Sequence, residues 1–167
     1  MWQTLCPTAP PGTVYLDATH IKVPRRGLNP AGGRETQALG LTKGGWHPKV
    51  PAAVDRQGVP HALFLSAGNV ADLYQATDVL EELKNLPATM VVADKGCDAD
   101  DLRGWLYEPG ITPCLPPNSN RLDPLPYRKA SYRKRPRVEN FFAHLKTFRR
   151  VAPRYAKLAE TFLDGFS

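Results

Sequence analysis

The chain has 167 residues, 42% of them hydrophobic, which is enough to bury one core and too few for two comfortable ones. Apolar runs such as 90–93 are a few residues long, far below the roughly 20 a membrane span needs, and the N-terminus lacks the charged and apolar regions of a secretory signal; a cytoplasmic protein with no membrane partner is expected. The formal charge is +6, and the three cysteines, Cys6, Cys97 and Cys114, stand far apart with no matching histidine pair, so neither a disulfide framework nor a zinc site is indicated.

Residues 1–12 carry three prolines and read as a loose leader to a single domain over 13–167. Val14 to Val23 is rich in β-branched and aromatic residues and predicts a strand. Pro24 to Gly45 is rich in glycine and reads as a long loop. It contains no Gly-x-x-x-x-Gly-Lys-Ser/Thr, which argues against a nucleotide-binding loop. Lys49 to Val54 and His61 to Ser66 are short apolar runs joined by Asp55-Arg56-Gln57-Gly58, a hairpin composition. Three antiparallel strands in succession follow from these runs.

The period then changes. Leu73, Ala76, Thr77, Leu80 and Leu83 recur at helical spacing and predict a helix over 72–86, with Asn69 or Asp72 able to cap it. Met90 to Ala93 reads as a short buried strand, 98–107 as a helix and Ile111 to Leu115 as another strand. Such alternation implies parallel pairing through right-handed crossovers. A proline-rich loop precedes the last helix, which begins near Pro136, a residue suited to the first helical position, and runs to about Arg150.

Charge is concentrated at this end. Between Arg128 and Lys157 lie 11 of the 22 Lys and Arg and one acid, Glu139. A solvated basic face is the plain reading of such a run. Interleaving with Tyr127, Tyr132, Phe141, Phe142, Phe148 and Tyr155 favours a polyanion instead, above all a nucleic-acid backbone.

Two aspartates stand out. Asp17 interrupts an apolar strand, where an uncompensated carboxylate is costly, so it needs a partner. Asp94 follows the 90–93 strand, at the carboxyl end where sites assemble in open α/β sheets, although a turn or helix-cap role would also explain it. Glu139 flanks an apolar face of Val138, Phe141, Phe142, Leu145 and Phe148. Tyr132, Arg135, Glu139 and Lys146 share one helical sector if the helix extends back past Pro136; otherwise Tyr132 and Arg135 belong to an approach loop.

The spacing Tyr132-x2-Arg135-x3-Glu139-x6-Lys146, with Asp17 in Leu16-Asp17-Ala18-Thr19 and Asp94 in Ala93-Asp94-Lys95-Gly96, resembles the signature of DDE transposases of the bacterial insertion-sequence 4 and 5 superfamily. Further blocks fit the insertion-sequence 5 group in order: Gly40 to Gly45 with Lys49, Asp55 to Pro60, Ser66 to Asn69 with Asp72, and Phe148 to Ala152 with Arg154, Tyr155 and Lys157. The match spans about residues 13 to 163. Cys97 stands where the group commonly has tyrosine.

The resemblance implies a ribonuclease-H-like α/β fold, a mixed sheet of three antiparallel strands followed by parallel strands, flanked by helices. It implies metal-dependent DNA cleavage and strand transfer in transposition, with two Mg²⁺ or Mn²⁺ ions held by Asp17, Asp94 and Glu139, Asp17 being shared between the ions. Tyr132, Arg135, Lys146, Arg149, Arg150 and Arg154 would bind DNA. The implied partners are double-stranded DNA, as transposon ends and target, and further copies of the chain on that DNA, at the bacterial nucleoid. Only 16 residues precede Asp17, so the helix-turn-helix region of complete members is expected on an upstream polypeptide of a split element. The rival expectations are a truncated, catalytically silent DNA-binding remnant and a nuclease of the same fold.

Overall fold

The computed structural model describes residues 12–23, 38–82 and 88–147. Nearly all of the leader, most of the glycine-rich loop, residues 83–87, and the chain from Phe148 on, with Arg149, Arg150 and Arg154, lie outside the described residues.

The first strand, β1 (Thr13–His20), buries Val14, Tyr15 and Leu16. It pairs antiparallel with β3 (Gly45–Val54), from Tyr15 opposite Val54 to His20 opposite Lys49. On its other side β1 runs parallel to β6 (Met90–Val92), with Tyr15 opposite Val92. β7 (Thr112–Cys114) continues the sheet parallel to β6. Three shorter strands, β2 (Gly40–Thr42), β4 (Pro60–Leu63) and β5 (Ser66–Ala67), pair antiparallel with β3. The expected mixed sheet is therefore present, antiparallel through β4, β3 and β1 and parallel through β1, β6 and β7.

Because successive strand residues point to opposite faces, the sheet divides the core in two. On one face Tyr15, Ala52, Val54, Val92 and Cys114 pack against Val138, Phe142 and Leu145 of α4 (Pro136–Leu145). On the other, Val14, Leu16, Ala53 and Val91 meet Ala76, Val79 and Leu80 of α1 (Asp72–Glu82) and Leu102 and Leu106 of α2 (Asp100–Tyr107). Neither apolar stripe has another way to leave water, so burial fixes which face each helix covers.

Local chemistry shapes the connections. Asp55 accepts hydrogen bonds from the backbone N–H groups of Gln57 (2.8 Å) and Val59 (3.0 Å) and pairs with buried His61 at 3.0 Å. Burial pushes its carboxyl up, but His61 and the two N–H donors outweigh that and hold it below the usual value. Gly58 completes this turn at φ +84, where a Cβ would be strained.

Some elements differ from expectation. β3 starts at Gly45 rather than Lys49, because the end of the glycine-rich loop folds back as β2 and pairs with it. The expected helix over 98–107 begins at Asp100, after a separate 3₁₀ turn over Lys95–Cys97. A short helix, α3 (Lys129–Tyr132), lies within the approach to α4.

β2 also passes very close to the loop after β5. A Cβ on Gly40 would lie 2.1 Å from Asn69 Oδ1 and 2.5 Å from the Asn69 backbone nitrogen. Gly40→Ala is expected to destabilise the chain by about 2 kcal/mol, since backbone must move to admit the methyl group. Urea unfolding checks this, and an unchanged midpoint would remove the close approach from the account.

Candidate active site

Asp17 and Asp94 come together through strand register. Asp17 is two residues beyond Tyr15 on β1, Asp94 two beyond Val92 on β6, and Tyr15 and Val92 are opposite each other in the parallel pair. Both carboxylates turn to the face covered by α4: Asp17 Oδ1 lies 2.9 Å from Arg135 Nη2, and Tyr132 Oη donates to Asp94 Oδ1 at 3.2 Å. Asp94 occupies the position preceding the 3₁₀ turn, yet its side chain makes no cap hydrogen bond. A capping role thus does not account for it.

Glu139 sits in the first turn of α4 and joins the group through Arg135, whose Nη1 donates to Glu139 Oε1 at 2.9 Å. Arg135 therefore supplies the compensation that an aspartate in an apolar strand demands. Its backbone is helical (φ −55, ψ −30) although Pro136 follows. The usual preference before proline is overridden there by backbone bonds on both sides, from Arg135 N–H to the Tyr132 carbonyl and from Val138 N–H to the Arg135 carbonyl. Lys146, just past the end of α4, donates to Thr19 Oγ1 at 2.6 Å. Thr19 is two residues after Asp17 on the same face of β1, a parity that was readable in the sequence.

All four residues of the spaced signature thus converge on the strand bearing Asp17 and the strand end bearing Asp94. Electrostatics follow from this crowding. Burial pushes the Asp17 carboxyl up, Arg135 and the Ala18 N–H pull it down, and Glu139 and Asp94 raise it again, for a net rise. Burial, with Asp94 next, also raises the Tyr132 hydroxyl. Burial opposes the charge on Arg135, but Asp17, Asp94, Tyr132 and Glu139 outweigh it and hold the guanidinium charged more firmly than usual.

Cys97 is pushed up to about 12 by burial and by the charges of Asp72, Asp94 and Asp17, which keeps it a thiol at neutral pH. The donor atoms facing α4 are then carboxylate oxygens, hard ligands suited to Mg²⁺ or Mn²⁺ rather than to zinc. Among the described residues, no three His, Cys, Asp or Glu side chains are gathered tightly enough to hold one ion as they stand. The donor chemistry fits a divalent cation, with Arg135 standing between two of the acids.

A shallow cleft, partly open to solvent, is bordered by Asp17 and Asp94 but lined mainly by Leu16, Ala18, Gln75, Ala76 and Val79. It lies toward α1, behind the strands, whereas the signature side chains meet the acids from the α4 side. On the α1 side a pair was missed as a contact: buried Lys49 donates to Asp72 Oδ1 at 2.6 Å and to the Val70 carbonyl at 3.2 Å, anchoring the start of α1 to β3.

Residues 8–164 match the family described as Transposase DDE domain. A protein of Brucella ovis described as a transposase for insertion sequence element IS6501 is 33% identical over 119 residues, 71% of this chain and 89% of that protein. Among solved structures, the piggyBac transposase in a synaptic complex with hairpin DNA superposes with a TM-score of 0.49 at 14% identity, over 71% of this chain. The chain spans 25% of that protein's length.

Proposed function

This chain belongs to the DDE transposase family, and on that premise we propose that Asp17, Asp94 and Glu139 are the acids that hold divalent metal ions for cutting and rejoining DNA. One observation carries the reading: Tyr132, Arg135 and Lys146, spaced along one segment, each contact one of these acids or the strand beside it. Two Mg²⁺ or Mn²⁺ ions would supply activation of the attacking hydroxyl and stabilisation of the leaving oxygen. Asp17, central between the other two, would serve both ions.

The chain's own residues do the rest. Tyr132 orients the Asp94 carboxylate by its hydrogen bond. Arg135 and Lys146 offer charged donors beside the acids, which suits the phosphates flanking a scissile bond. Arg149, Arg150 and Arg154 continue the basic sequence and would extend the contact along the backbone. The substrates are then double-stranded transposon ends and target DNA, engaged by more than one copy of the chain, with an upstream helix-turn-helix polypeptide contributing end recognition. The catalytic domain in this reading runs from residue 13 to the end of the chain.

The test is incubation of the purified chain with a labelled duplex bearing the ends of its own insertion sequence, in Mg²⁺, Mn²⁺ or chelator. Nicking at the end junction that requires metal is the expected result. Salt-sensitive binding without nicking in either metal would overturn it in favour of a silent remnant, and preferential cutting of RNA in favour of a nuclease.

A further inference from the structure

Arg135 is held in an unusual way. Its two terminal nitrogens are spent on different acids, Nη2 on Asp17 and Nη1 on Glu139, both at 2.9 Å. Its third donor, Nε, is buried and has no partner among the described residues. The side chain is only 16% exposed, while the Glu139 side chain it reaches is 53% exposed. Three residues back, Tyr132 holds Asp94. The corner between α3 and α4 therefore engages one oxygen of each of the three acids at once, and it supplies one permanent positive charge.

A guanidinium cannot be relieved of that charge by deprotonation. A cation that binds Asp17 and Glu139 must compete with it for the same carboxylates, and a guanidinium left in place would face that cation with like charge. Resting on the reading of these acids as metal ligands, we propose that Arg135 is a placeholder cation which divalent ions must displace on loading. Pro136 fixes the backbone φ immediately after it, so release is a rotation of the side chain. The freed fork, with its orphaned Nε, matches the geometry of a phosphate, which couples metal loading to capture of the DNA backbone.

The contrary role, a strut that orients the carboxylates for metal, predicts the opposite sign. Mn²⁺ affinity of the chain without DNA, read from the electron paramagnetic resonance of the free ion, decides between them. Asp17→Asn should abolish specific binding. Arg135→Gln should bind Mn²⁺ about tenfold tighter than the unmodified chain, the size of losing one charge-assisted competitor. Arg135→Lys, which keeps a charge but cannot bridge two acids, should fall between. Equal or weaker binding by Arg135→Gln overturns the proposal.

If circular dichroism shows that Arg135→Gln is unfolded, the unmodified chain still decides. Saturating Mg²⁺ should shift the Arg135 Nε–H resonance while that of Arg103, paired elsewhere, stays. An Arg135 signal that does not move overturns the placeholder role. Absence of acid-dependent Mn²⁺ binding in every variant instead sinks the metal-site reading and the placeholder with it, so the two failures are told apart.

Discussion

Asp94→Asn is expected to lower metal-dependent strand cleavage by about a thousandfold or more while leaving DNA binding within about twofold, a magnitude typical of removing one member of a concerted catalytic group. Asparagine keeps an acceptor for Tyr132 and nearly the same volume, and Asp94 makes no cap hydrogen bond that the change would remove. What it loses is the anionic oxygen. Binding to DNA depends on Lys and Arg contacts to phosphate rather than on this acid, so it is spared. End-cleavage assays beside a filter-binding titration separate the two quantities; cleavage at the unmodified rate would remove Asp94 from the chemistry.

The largest stability effect is expected at a residue with no part in the reaction. The side chain of Asp98 is fully buried and accepts from the Asn118 backbone N–H (2.8 Å), Arg103 Nε (2.8 Å) and Arg121 Nε (2.9 Å). Arg103, 3% exposed on its side chain, also donates to the Leu115 carbonyl. Removing the carboxylate leaves that guanidinium buried without a counter-charge, so Asp98→Asn should cost about 3 kcal/mol at pH 7. This is a large share of a typical domain's stability.

Burial pushes Asp98 up, but the Asn118 N–H, Arg103 and Arg121 together hold it below the usual value of 3.8. The folded state thus binds its proton later than the unfolded chain as pH falls. Its stabilisation is complete above about the unfolded value and disappears as pH drops through the folded one. Urea melts should therefore show the gap between the two proteins shrinking below pH 4. A constant gap, or none at neutral pH, would contradict this role. Three residues separate Asp98 from Asp94, so the variant should also loosen the path from the second acid toward α3.

What could be read in the sequence was whatever depends on local order. Alternation in 13–20 and helical spacing in 72–82 predict their elements because each buries one face. The ordered signature pointed to contacts of Tyr132, Arg135 and Lys146 with the strands that carry Asp17 and Asp94, and the unexplained carboxylate in an apolar strand pointed to a partner that proved to be Arg135. What escaped is set by distant partners. Asp98 meets Asn118 and Arg121 from 20 and 23 positions away, and Lys49 meets Asp72 from 23; no periodicity encodes such pairings. β2 and α3 are three and four residues long, too short for a periodic signal, and exist because β3 and the Asp94 side of the sheet give them something to pair with or pack on.

The parallel pairing of β1 with β6 makes the chain unusually intolerant of length changes at one place. Inserting a single residue between Val92 and Asp94 would rotate the aspartate to the α1 side of the sheet. Tyr132 would then lose its acceptor, while the hydrophobic layers before the insertion remained in place. Such a variant would keep its secondary structure and most of its core yet be chemically dead. In copies of this element accumulating random indels, that span should therefore be a point where function is lost well before foldedness.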